Sequence, residues 1–334
     1  MQSPRRPNPR SRSDATAEPQ VTSSDQLAAA RAGDRRALAR LLTSIERGDD
    51  ASHAVNREVF GQVGRAATVG ITGAPGAGKS TLTSATVAAA RARGERVAVL
   101  AIDPSSPFSG GALLGDRTRM NDHALDEGVF IRSMATRGHL GGLALATREA
   151  IRLLDAVGFP WVLVETVGVG QVEVEVAGAA DTTVVVVNPG WGDSVQANKA
   201  GLMEIADVFV VNKADRPGAS QTVYDLQSML DLTRGSGAHG WRPPVVAAVG
   251  TTGEGVADLW AAIAAHREHL GATGELERRR EQRLREELAL VVEQRIRAEA
   301  DARLGAGARA EIERDLLAGR VDPWTAADRI VGGR

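Results

Sequence analysis

The chain contains no cysteine, and its 334 residues include only three lysines and one tyrosine. Without thiols there is no disulfide framework, thiolate metal site or cysteine nucleophile, a composition that suits a cytoplasmic enzyme. No apolar run approaches the roughly 20 residues that cross a bilayer, so no membrane association is expected. Charge of neither sign dominates. Forty Lys plus Arg face 42 Asp plus Glu, and 43% of residues are apolar. This balance argues against a nucleic-acid partner and describes an ordinary globular chain. The scarcity of lysine is the most informative shortage. With 37 arginines serving as surface cations, lysine is expected to persist where a compact ammonium cannot be replaced by a planar guanidinium. The three are Lys79, Lys199 and Lys213.

Residues 1–24 read as a disordered tail. Four arginines precede its first acid, but Pro4, Pro7 and Pro9 would break the amphipathic helix of an organellar transit peptide. Residues 25–62 read as helical, with a short helix ending near Gly33. Asp34 then caps a second helix bearing Leu38, Leu41, Leu42 and Ile45 on one face. From 63 to 270, seven Val/Ile/Leu-rich runs alternate with helical stretches: TVGIT, RVAVLAID, VFIRSM, WVLVET, TTVVVV, DVFVVN and PVVAAV. Continuous apolar strands separated by helices predict an α/β fold with a mostly parallel central sheet covered by helices. Residues 271–334 turn charged and helical. Leu284, Leu288, Val291 and Ile296 form a stripe there, and Asp322-Pro323 opens a last short helix.

The run TVGITGAPGAGKST sets Gly73, Gly78, Lys79 and Ser80 in the spacing G-x-x-x-x-G-K-[ST], between a strand and a helix. In such a P-loop the backbone N–H groups of Gly73, Ala74, Pro75, Gly76, Ala77, Gly78, Lys79, Ser80 and Thr81 (all but the proline) wrap phosphates at a helix N-terminus. Lys79 would reach the β- and γ-phosphates, and the Ser80 hydroxyl would ligate Mg²⁺. Acids ending strands lie at the crevice where ligands bind. Glu165, closing WVLVET, would hold the metal or its water, with Asp103 and Asp116 as further candidates around it. Gly168 has the spacing for a backbone contact to the γ-phosphate. Gln171 is two residues late for the usual water-positioning glutamine, so slow intrinsic turnover is expected. The catalytic candidates are Lys79, Glu165 and Asp116.

DVFVVNKAD places Asn212, Lys213 and Asp215 at a strand end. A carboxylate there accepts from guanine N1–H and its exocyclic amine, whereas adenine offers neither donor on that edge. Lys213 would lay its stem over the base, and Asn212 would tie loops together. The nucleotide is read as GTP or GDP. Val249, Gly250 and Thr251 would supply backbone contacts to the base, Val249-Gly250 standing where many GTPases have Ser-Ala or Thr-Ala.

GAPGAGKST, AIDPSSPFSGGALLGDRTRM, ETVGVGQVEVEVA and GWGDSVQANKAGLMEIADVFVVNKAD, together with the helical arms, resemble the MeaB/ArgK group of P-loop GTPases from about residue 25 onward. The resemblance implies a G-protein chaperone that gates adenosylcobalamin loading of an acyl-CoA mutase and protects it. Methylmalonyl-CoA mutase or a close relative is the default client. It also implies a homodimer held partly through the C-terminal arm, residues 271–334. By the same resemblance, residues 190–201 are a third switch that reports the nucleotide state to the mutase, through Trp191, Asp193, Gln196 and Lys199. Two positions depart from common members: Arg117 stands where lysine is usual, and Trp191 replaces a small residue before Gly-Asp.

The rival reading is a metal-delivery GTPase of the same branch. His266 and His269, at i and i+3, would share a helix face, and they are expected to be solvated rather than to ligate metal. A kinase acting on transport proteins and a dimer with a vestigial site are further readings.

Overall fold

A computed structural model describes residues 22–103, 121–135, 140–166, 178–190, 203–232 and 240–332. All seven apolar runs form strands: β1 (Ala67–Gly73), β2 (Val97–Asp103), β3 (Val129–Ala135), β4 (Trp161–Thr166), β5 (Thr182–Val187), β6 (Val208–Asn212) and β7 (Val245–Ala248). They lie side by side in the order β3-β2-β4-β1-β5-β6-β7, and every neighbouring pair is parallel.

Successive side chains of a strand point to opposite faces, and here both faces are covered. On β4, Val162 and Val164 face one side while Trp161 and Leu163 face the other. The helices α1 (Ser23–Arg31), α2 (Arg35–Arg47), α3 (Asp50–Val59) and α5 (Leu140–Ala156) pack over β2, β3 and β4 on the first side. α4 (Lys79–Arg91) and α7 (Val256–Thr273) fill the second. α6 (Ala219–Leu232) packs beneath β5 and β6 on the first side. Double coverage is why the strands carry unbroken valine runs rather than alternation.

The N-terminal helices form for local reasons. Thr22 and Asp25 make a reciprocal capping box on α1. The Asp34 side chain accepts from Arg36 N and Ala37 N, which starts α2, and Leu38, Leu41, Leu42 and Ile45 bury its inner face. Gly48, in the left-handed region, ends it.

The C-terminal region contains α8 (Glu275–Leu317) and α9 (Pro323–Gly332). At 1.5 Å per residue, α8 is about 65 Å long. Its root is fastened by charge rather than by the apolar stripe. Arg279 pairs with both oxygens of Asp207 at 3.1 Å, and Arg280 and Arg283 converge on Asp181. These aspartates directly precede β6 and β5 and are buried. The stripe points mostly elsewhere: Leu284, Leu288 and Ile296 are 44%, 64% and 50% exposed, while Val291 is half-buried.

His266 contradicts the expectation of a solvated face, whereas His269 is half-buried. His266 is completely buried, with Nδ1 2.9 Å from Thr182 Oγ1 and Nε2 3.3 Å from Asp207. The Trp241 ring packs against both histidines at a tilt, with centroids 4.8 and 5.2 Å away. Burial pushes the His266 pKa down to about 4, against the pull of Asp207, so the ring is neutral near pH 7. The α8 root covers this face of α7, a tertiary contact that helical periodicity does not reveal. Among the described residues no group of three or more His, Cys, Asp or Glu could hold a metal ion.

Candidate functional site

The sequence motifs meet along the carboxyl edge of the sheet. β1 ends at Gly73, whose φ is +138°, and a Cβ there would lie 2.0 Å from the Val186 carbonyl oxygen of β5. Only glycine lets β1 leave the sheet at this point. The loop from Ala74 to Gly78 then turns into α4. Gly78 has φ +86° and supplies no side chain that could cap the helix. A Cβ at this position would come within 2.5 Å of Asn212 Nδ2. The first turn of α4, with Lys79, Ser80 and Thr81, therefore presents backbone donors and the positive end of its dipole to whatever the loop encloses, the arrangement that suits a phosphate.

Two charged groups define the phosphate end. The Lys79 ammonium lies within the loop, donating to Gly73 O at 2.6 Å and Ala74 O at 3.2 Å. Ser80 Oγ donates to Glu165 Oε1 at 2.5 Å, and both residues are buried. Strand register explains that contact: Glu165 on β4 is level with Ile71 on β1 and Ala101 on β2, just below the loop. A hydroxyl and a carboxylate side by side are hard oxygen donors. They fit Mg²⁺, which takes one or two protein oxygens and completes its shell with phosphate and water. Asp103 is the last residue of β2, paired with Ala135 of β3. Asp116 and Gly168 lie outside the described residues, as do Arg117 and Gln171.

The base end is joined to the phosphate end through Asn212. Its Nδ2 donates to Ala77 O at 2.8 Å, and its Oδ1 accepts from Gly250 N at 3.0 Å. One buried amide thus spans the P-loop, the end of β6 and the loop after β7. Lys213 has φ +58°, a left-handed conformation that few non-glycine residues adopt, and its ammonium donates to Gly76 O at 2.7 Å. Asp215, two residues on, is exposed, free of the sheet and able to face a base. Val249 is buried and hydrogen-bonded to Glu254, which folds the loop so that Gly250 and Thr251 follow Asn212 closely. Gly250 lies against the backbone of Leu82 in α4.

Sequence reasoning did not single out Asn188, the first residue after β5. Its Nδ2 lies 3.4 Å from Gly76 O, at the apex of the loop. The signal was available in outline, because the strand beside β1 must end beside the P-loop. The partner-facing candidates Trp191, Asp193, Gln196 and Lys199 lie outside the described residues. The chain reaches them from Gly190, whose N–H donates to Thr222 Oγ1 at 3.1 Å.

Residues 38–304 match the family described as methylmalonyl Co-A mutase-associated GTPase MeaB. A protein of Pyrococcus abyssi, provisionally named a GTPase, is 51% identical over 300 residues, covering 90% of this chain and 93% of its own. The mouse methylmalonic aciduria type A homolog, a mitochondrial protein, is 35% identical over 267 residues, covering 79% of this chain and 64% of its own. A solved structure described as LAO/AO transport system kinase superposes with a TM-score of 0.69 at 27% identity, covering 94% of this chain and 98% of its own.

Proposed function

The chain belongs to the methylmalonyl-CoA mutase-associated GTPase (MeaB) family, and from that premise we propose that it hydrolyses GTP as a chaperone of an adenosylcobalamin-dependent acyl-CoA mutase. The observation that carries the nucleotide half of this reading is the Asn212 bridge between the P-loop and the base loop. It holds a phosphate cradle and a guanine-selecting carboxylate, Asp215, in one site. The mutase half rests on the family description and on the segment 190–201.

In the reaction, water attacks the γ-phosphorus of GTP, the bond to the β–γ bridging oxygen breaks, and GDP and phosphate leave. Little covalent chemistry falls to the protein, so catalysis is positioning and charge stabilisation. Lys79 neutralises charge developing on the bridging and γ-oxygens. The backbone N–H groups of residues 76–81 hold the β-phosphate, and Asp215 with Lys213 fixes the base. Ser80 and Glu165, with Asp103 and Asp116, would hold Mg²⁺, which neutralises phosphate charge when bound. Gln171, two residues late for the usual water-positioning glutamine, carries the expectation of slow turnover unless a partner completes the site.

The second copy expected for a homodimer would meet the exposed stripe of α8. The apolar face of Leu288, Val292 and Ile296 stands clear of the body of its own chain. Metal delivery is less well supported, since His266 is buried in the core and His269 is half-buried against Trp241.

Nucleotide state and mutase affinity are reciprocally linked in this reading. Mutase affinity should therefore differ several-fold between the protein loaded with GDP and with a non-hydrolysable GTP analogue. Lys199→Ala is expected to retain nucleotide binding and shrink that difference. Binding isotherms in which the variant keeps the full difference would remove Lys199 from the switch.

A further inference from the structure

The nucleotide site lies along the carboxyl edge of the sheet. The opposite, amino edge carries a cavity of about 670 Å³, within the roughly 300–1,000 Å³ usual for small-molecule sites. Its apolar lining includes Phe130 near the start of β3, Phe159 just before β4 and Leu38 of α2, all buried. The two phenyl rings are neighbours, with centroids 6.2 Å apart.

An arginine is seated over each ring. Arg96, directly before β2, holds its guanidinium carbon 4.6 Å from the Phe159 centroid. Arg35, the first residue of α2, holds its own 5.8 Å from that of Phe130. The negative face of a ring steadies a guanidinium without occupying the N–H edge that grips an oxyanion. The protein makes little use of that edge. Arg35 donates to Asp126 O at 3.1 Å and Arg96 to Gly158 O at 3.4 Å, both backbone carbonyls. Among the described residues neither guanidinium is in an ion pair. Arg31, also in the lining, likewise donates to neutral acceptors, Ala156 O and Gln62 Oε1.

The other charged groups of the lining have different employment. Arg91, the last residue of α4, is bidentate to Asp126 at 2.8 and 3.0 Å, and a Cβ on Gly128 would collide with its guanidinium. Asp34 accepts from Arg36 N and Ala37 N as the cap of α2, and Glu127 is exposed. Three arginines without a carboxylate partner among the described residues thus face two carboxylates, and the lining keeps a positive excess.

We propose that this cavity binds a small phosphate monoester, gripped by Arg35 and Arg96, with Arg31 adding charge. A guanidinium fork meets two oxygens of one phosphate at once, and a dianion offsets the crowding of like charge over adjoining rings. The apolar lining takes the ester's carbon body. The site is distinct from the P-loop: α4 runs about 18 Å from Lys79 at the nucleotide site to Arg91 here.

Phosphorus NMR of phenyl phosphate titrated with the full-length protein tests this, the P-loop first being saturated with GDP and Mg²⁺. Phenyl phosphate should bind saturably and several-fold more tightly than inorganic phosphate, which has no carbon body. Benzoate, with the ring but a singly charged carboxylate, should compete several-fold less well. Replacing the cavity pair together, Arg35→Gln with Arg96→Gln, should weaken phenyl phosphate by about tenfold or more and leave GDP affinity unchanged. Arg36→Gln with Arg40→Gln, exposed arginines of α2 outside the lining, should change it little. No saturable binding of phenyl phosphate, benzoate competing as well as the phosphate ester, or an equal loss in the two double variants would overturn the site.

Discussion

Lys79→Ala protein is expected to fold and to lose GTP hydrolysis, with kcat/KM falling by about 10²–10³-fold or more. The ammonium is held inside the loop by Gly73 O and Ala74 O, at the position where negative charge gathers as the bond to the γ-phosphorus breaks. A hydrogen bond to a charged group contributes roughly 1.5–3 kcal/mol, and one that strengthens in the transition state acts directly on the barrier at about 1.4 kcal/mol per decade. Lys79→Arg should not restore the rate, because a planar guanidinium is too wide for a loop closed around a compact ammonium. Single-turnover hydrolysis, with circular dichroism to verify folding, measures the effect. A Lys79→Ala protein that turned over GTP at the wild-type rate would mean that the loop is not the catalytic phosphate site.

Asp215→Asn is expected to exchange the base preference. The wild-type carboxylate accepts twice from guanine, and asparagine retains one acceptor while turning a donor toward guanine's exocyclic amine. GTP affinity should fall by about 10²- to 10³-fold, from the loss of one or two hydrogen bonds to a charged group. Xanthine carries a carbonyl where guanine carries the amine, so XTP should gain what GTP loses. Competition binding of the two nucleotides to wild type and variant reads this directly. Equal loss of both would point to a collapsed loop, and no loss of GTP would place the base elsewhere. Asp215 is exposed and makes no hydrogen bond within the sheet, so the substitution leaves the Asn212 bridge in place.

Much of the fold was legible because its signals are local. Seven valine-rich runs gave seven strands, and their lack of alternation reported burial on both faces. Gly73 and Gly78 were readable as phosphate-loop glycines, and the structure adds the physical reason: Val186 O and Asn212 Nδ2 leave no room for a Cβ. Asp34 and Asp322 were readable as caps because capping takes only a few adjacent residues. The attachment of the arm was not legible. Its apolar stripe gives no sign that the α8 root is held by arginines that reach Asp181 and Asp207, about 70 to 100 residues earlier in the chain. His266 was misread for the same reason. A histidine on a helix gives no sign that Thr182, Asp207 and Trp241 will close around it. The metal candidate Asp116 and the partner segment 190–201 rest on motif spacing and resemblance, because most of their residues lie outside the described structure.

The central claim joins a guanine-nucleotide site to a mutase partner, and one rate tests that union. GTP turnover should be measured for the purified protein alone and with an adenosylcobalamin-dependent acyl-CoA mutase from the same organism. The account predicts a slow basal rate that rises several-fold with the mutase and is lost in Lys79→Ala with or without it. A basal rate unchanged by every such mutase would contradict the chaperone reading and leave a MeaB-family GTPase acting on some other client.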